Sequence, residues 1–189
     1  MSDIHTFVLV EGESDAAAVR ALAGLFGHDL GSGSIRICPV GGVTNFPQAL
    51  SELTRAHPGS SFCGLYDIAE ERYVRRALGN AALPNAAHEP PESFGFFACV
   101  ADLEDELIRA LGAEAVQHVL EAQGELASFR RFQAMPHHRL TPVDHQLRRF
   151  LGTRATRKIR SARLLVEQLD VQRLPRPLAQ LAARLFGAA

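Results

Sequence analysis

The chain of 189 residues is long enough to bury a core without disulfide or metal staples. Its 47% apolar and 22% charged residues are ordinary for a globular protein and exclude a disordered or fibrous one. No apolar run approaches the roughly 20 residues that cross a bilayer, and the N-terminus lacks a basic segment followed by a signal-type apolar core, so a cytoplasmic location is expected.

The first predicted element is a strand over 4–10, whose apolar, β-branched run suits burial on both faces of a sheet. It delivers Glu11, Gly12, Glu13, Ser14 and Asp15 to the start of an Ala-rich helix over 15–27. Gly12 permits a sharp turn and Ser14 is the expected cap. Carboxylates at such a turn either complement the positive end of the helix dipole or face a pocket as ligands for a hard cation. A turn over 31–34 leads to a second strand over 35–40, which ends in Gly41-Gly42, and a helix follows over 46–56. The third strand, 62–66, has Asp67 at its carboxyl end, and a third helix is expected over 70–78. A proline-containing loop, with Pro84, Pro90 and Pro91, precedes the fourth strand at 94–100. Asp102, Leu103, Glu104, Asp105 and Glu106 then open an amphipathic helix. Strands alternating with helices argue for βαβ units and a parallel sheet. Beyond Asp102 the pattern is wholly helical, with apolar residues recurring every three or four positions through 107–120, 143–151, 159–169 and 178–186.

Strand–Glu-Gly-x-Ser-Asp–helix resembles the first motif of the TOPRIM domain of topoisomerases, bacterial primases and the OLD (overcoming lysogenization defect) nucleases. Asp67 stands where that domain places its second acidic motif. The DLEDEL segment at 102–107 makes the likeness greatest to the TOPRIM nuclease domain of the OLD family. The resemblance covers roughly 4–170 and implies an α/β fold: a four-stranded parallel-sheet TOPRIM domain, Rossmann-like, at 1–108, followed by a basic helical region packed on it at 109–189. It further implies that Glu11, Asp15, Asp67, Asp102 and Glu104 hold one or two Mg²⁺ or Mn²⁺ ions. Glu11, Asp67 and Lys158 would be the catalytic residues. Two departures stand out. Most TOPRIM domains place a second Asp two positions after the one equivalent to Asp67, where this chain has Ala69. Glu70, Glu71 or the acidic cluster after the fourth strand would have to replace it. No G-x-x-x-x-G-K-[ST] loop occurs, so the chain has no ATP site of that kind and any ATPase partner acts in trans.

The formal net charge of −1 conceals a division: residues 128–189 carry +10 and the first 127 carry −11. An acidic half that holds cations joined to a basic half that attracts phosphates suits an enzyme acting on a polyanion, although basic helices also bind acidic proteins. Arg154, Arg157 and Arg160 are the expected phosphate contacts. Among 19 arginines Lys158 is the only lysine, as expected where a compact ammonium rather than a planar guanidinium is required. Cys38, Cys63 and Cys99 fall in three different strand-like segments and behave as small buried hydrophobes. His137, His138 and His145 cluster between helical segments without metal-ligand spacing.

These features point to a metal-dependent phosphodiester hydrolase, a DNA endonuclease or nickase. Alternatives are a non-catalytic module binding nucleic acid or protein through a degenerate TOPRIM site, and a hydrolase or transferase acting on free nucleotides. Neither Tyr66 nor Tyr73 sits in a strand-passage domain, which argues against topoisomerase chemistry. DNA against RNA and the oligomeric state are left open.

Overall fold

The computed structural model describes residues 6–30, 33–81, 83, 85–86 and 88–187. Four strands, β1 (Thr6–Val10), β2 (Ile35–Pro39), β3 (Ser61–Asp67) and β4 (Phe96–Cys99), form one parallel sheet in the order β2-β1-β3-β4. Alternate residues serve opposite faces. Val8 and Val10 join Cys63, Leu65, Phe97 and Cys99 in one hydrophobic cluster, whereas Phe7 and Leu9 join Tyr66 and Phe96 in the other. Burial on both sides is the reason β1, β3 and β4 read as near-continuous apolar runs, whereas edge strand β2 is only partly buried.

Helices α2 (Phe46–Ala56) and α3 (Glu71–Asn80) cover the second face through Phe46, Leu50, Val74 and Leu78. The first face is covered by α1 (Glu13–Leu25) and by a helical series: α4 (Leu103–Leu111), α5 (Ala113–Ala122), α6 (Leu126–Ala134), α7 (Val143–Leu151), α8 (Ala155–Val166) and α9 (Arg176–Phe186). A single cluster runs from the sheet through Leu107, Val116, Phe129, Leu147, Leu165 and Leu181. No described helix is long and apolar enough to cross a membrane.

At Gly64 the strands approach so closely that a Cβ would stand 2.1 Å from the carbonyl oxygen of Leu9 on β1. Only glycine fits there.

The expected elements recur with local corrections. The helix expected over 107–120 is two, α4 and α5, because Gly112 at φ 80° breaks the ladder between them. Helix α6 was not expected. Phe94 belongs to a short 3₁₀ turn (Pro91–Phe94), and left-handed Gly95 separates it from β4. Ser14 is not the cap of α1. Gly12 is, with the Asp15 carboxylate accepting its backbone N–H at 3.0 Å. Residues 4–5 of the first expected strand, 31–32 of the turn and Pro84 of the loop lie outside the described residues.

Candidate metal centre

Each acidic residue is presented by a separate local device at the carboxyl edge of the sheet. Glu11 follows β1, and its carbonyl oxygen accepts the N–H groups of Gly41 and Gly42 at 3.0 Å each. Those two residues have φ of 73° and 117°, so glycine is required for the turn that fixes Glu11. Asp67 ends β3 beside Cys99 of β4. Asp102 caps α4, its Oδ1 accepting the Asp105 N–H at 2.8 Å. The turn that carries Asp102 is held by buried Glu106, whose Oε1 accepts the Val100 N–H at 2.9 Å and whose other oxygen pairs with Arg109.

These devices converge. Glu11, Asp15, Asp67, Asp102, Glu104 and Lys158 line one cleft of about 20 Å³, room for a water-sized or ion-sized occupant. The carboxylates of Glu11, Asp67 and Glu70 approach within 4.8 Å of one another. Of the two glutamates that follow Ala69, Glu70 lies beside Glu11 and Asp67, whereas Glu71 pairs with Arg75 on α3.

Burial, with like charge added to it, holds several carboxylates of the cleft above their ordinary values. Burial pushes Asp67 up to about 7, and the nearby Asp102, Asp15 and Glu11 carboxylates add to it. Glu104 also rises to about 7 through burial, opposed by Lys158. Burial likewise raises Asp15, against the Gly12 N–H and Lys158. Glu70 is raised by burial and by Glu11. For Lys158 burial acts downward, but Glu104, Asp15 and Asp102 outweigh it and the ammonium is held above its ordinary value.

A divalent cation fits this donor set. Several hard carboxylate oxygens share a small space, and their mutual repulsion is what a cation would relieve. Glu104 is only 3% exposed, and its Oε1 makes no hydrogen bond among the described residues. A buried carboxylate oxygen without a partner is costly unless a cation or proton supplies one.

The three arginines expected to meet phosphates differ from one another. Arg154, at the start of α8, is exposed. Arg157 corrects the expectation. It is 6% exposed, with its guanidinium over the Phe150 ring, paired with Glu125 and donating to Thr153 Oγ1 and the Phe150 carbonyl. It ties α8 to α7 and to the turn before α6, and is not placed to meet a ligand. Arg160 shares Glu125 from a half-exposed position. One contact was not anticipated: Arg148 of α7 donates to Asp102 Oδ2 at 2.6 Å. His137 and His138 lie against each other and belong to no group of metal-ligating side chains among the described residues.

A parallel sheet in the order β2-β1-β3-β4, with carboxylates after β1, β3 and β4, defines an α/β fold with an acidic cleft at the carboxyl edge of its sheet. Residues 5–62 match the family described as overcoming lysogenization defect protein-like, TOPRIM domain. Nearly the entire chain shares its fold with the C-terminal region of the Xanthomonas campestris pv. campestris OLD protein, with a TM-score of 0.67 and 20% identity over 96% of this chain and 94% of that one. The C-terminal region of the Burkholderia pseudomallei OLD protein gives a TM-score of 0.65 and 20% identity over 94% and 95% of the two chains. Comparison with curated proteins gives no match.

Proposed function

We propose that this chain is a divalent-metal-dependent phosphodiester hydrolase that cuts or nicks DNA. The observation that carries this reading is the convergence of five carboxylates and the only lysine on one small cleft, with a buried Glu104 oxygen that has no hydrogen bond among the described residues. Glu11, Asp15, Asp67, Asp102 and Glu104 would hold one or two Mg²⁺ or Mn²⁺ ions, with Glu70 as a further donor. When bound, such ions stabilise charge on a phosphate and make water a stronger nucleophile.

The chain's own residues supply the rest. Glu11 and Asp67 sit together at the strand ends, where a phosphodiester would meet the cleft. Lys158 brings a permanent positive charge against Glu104, suited to balancing negative charge that develops on phosphate oxygens. Arg154 and Arg160 of α8 are the candidate contacts to flanking phosphates. In this reading 1–108 is the catalytic TOPRIM unit and 109–189 the basic helical region packed on it. Glu70 beside Glu11 and Asp67 speaks against a degenerate site, because it restores the carboxylate that Ala69 removes.

Supercoiled plasmid, single-stranded RNA and free nucleotides, each incubated with Mg²⁺, Mn²⁺ or EDTA, test the proposal. Metal-dependent conversion of plasmid to open circle supports it. Turnover of nucleotides alone would replace it with the free-nucleotide reading, and binding without turnover with the regulatory one.

A further inference from the structure

Asp102 has both oxygens engaged: Oδ1 by the Asp105 N–H and Oδ2 by Nε of Arg148, which lies 46 positions later in the chain. Arg148 stands at a junction. Its side chain is 41% exposed, and it borders a second cavity of about 430 Å³ that opens beside Asp102. His145 and Arg149 line that cavity with it. Spaced at i, i+3 and i+4 on α7, the three share one helix face. Asp102 is the only carboxylate among the described residues of the lining.

The segment before α7 that also lines the cavity, with His138 and Thr141, is pinned to the helix. Buried Gln146 donates to the carbonyl oxygens of His138 at 2.7 Å and Thr141 at 2.9 Å, and accepts from Gln133 at 2.6 Å. The His138 ring stacks on Phe132 at 3.8 Å. A groove with a cationic face and a pinned wall, continuous with an acidic cleft, is shaped for a chain of negative charges that runs past a metal centre.

We propose, on the foundation of the hydrolase reading, that the α7 groove binds the nucleic-acid phosphate adjoining the one at the metal centre, and that Arg148 is the positioning residue between them. Nε holds Asp102, and among the described residues Arg148 has no other hydrogen-bond acceptor. The planar fork therefore keeps N–H donors for a phosphate while staying in register with the cleft. Arg149 contributes a second contact farther along the groove. The expected phosphate track thus runs over α7 as well as over α8.

The test is fluorescence anisotropy of a labelled duplex of about 20 base pairs, titrated in EDTA at several salt concentrations, so that no turnover is involved. Arg148→Ala and Arg149→Ala should each weaken binding about three- to tenfold and lower the log–log salt slope by about one; the double variant should lower it by about two. Arg148→Lys should restore the slope but only part of the affinity, because a lysine cannot hold Asp102 and phosphate with one planar fork. Arg55→Ala, on α2 against the opposite sheet face, should leave both unchanged. Arg149 is exposed, so its variant carries the test even if loss of the Arg148–Asp102 pair unfolds the chain. A wild-type salt slope in the Arg149→Ala and double variants would overturn the α7 groove while leaving the hydrolase reading intact. Salt-independent binding, or none, by the wild-type chain would overturn both.

Discussion

The ammonium of Lys158 lies 3.4 Å from Oε2 of Glu104, a carboxylate 54 positions earlier and on a different helix. Helix α8 packs against α1, and this brings Lys158 of the basic half to the cleft at the carboxyl edge of the sheet. If the ammonium balances charge that develops on phosphate, Lys158→Ala should lower turnover by about 10²–10³-fold with metal affinity largely kept. Lys158→Arg should recover only part of it. Plasmid-nicking rates set beside calorimetric Mn²⁺ titrations check both; full activity in the alanine variant would reduce Lys158 to a surface residue.

Glu106 should matter without touching a ligand. It is buried, and its carboxylate ties the Val100 N–H and Arg109 around the turn that carries Asp102. Glu106→Ala is expected to destabilise the chain by about 1.5–3 kcal/mol, the worth of a hydrogen bond to a charged group. It should also weaken Mn²⁺ binding. Thermal melts and Mn²⁺ titrations of the variant measure the two effects.

Two glycines provide a contrast in stability. Gly64→Ala would drive a Cβ to 2.1 Å from the Leu9 carbonyl, backbone that cannot move without parting β1 from β3. A loss of about 3 kcal/mol or more, or failure to fold, is expected. Gly79→Ala, in α3 with nothing within 4 Å of the new Cβ, should instead stabilise by about 0.5–1 kcal/mol. Urea denaturation of the two variants separates these outcomes.

The acidic cleft also sets a pH dependence. Asp67 and Glu104, both raised to about 7, keep protons in the folded chain that the unfolded chain has already lost above about 4. Stability of the metal-free protein should therefore fall as pH rises from about 4 to 7 and level off above. Asp67→Asn should flatten part of that fall. Added Mn²⁺ should raise the melting temperature more at pH 8 than at pH 6, because at the lower pH it competes with protons. Melting curves in EDTA and in Mn²⁺ across this range test the sign.

Much of the candidate cleft was legible because motif and topology agree. An apolar strand followed by an acidic turn locates Glu11, Asp67 and Asp102 at one sheet edge, and parallel pairing brings those edges together. The rarity of lysine singled out Lys158, which does reach the cleft. What escaped depends on tertiary packing. Arg157 and Arg160 belong to the same basic helix, and nothing local says that Arg157 turns inward onto Phe150 and Glu125. Helix α6 carries Leu126, Phe129 and Phe132 at three-residue intervals, a weak periodic signal hidden among arginines. The Arg148–Asp102 pair joins α7 to the N-terminus of α4, and no spacing in the sequence announces it. Glu70 reaches Glu11 only because a 3₁₀ turn (Ile68–Glu70) follows β3.

The most direct measurement follows supercoiled plasmid with Mg²⁺ or Mn²⁺, comparing the wild-type chain with Asp67→Asn, whose fold is checked by circular dichroism. The metal-centre account predicts nicking by the wild-type protein that EDTA abolishes, and at least a 10²-fold loss in the Asp67 variant with its fold and its metal-free DNA binding intact. Nicking that persists in EDTA, or an Asp67→Asn variant as active as the wild type, would contradict it.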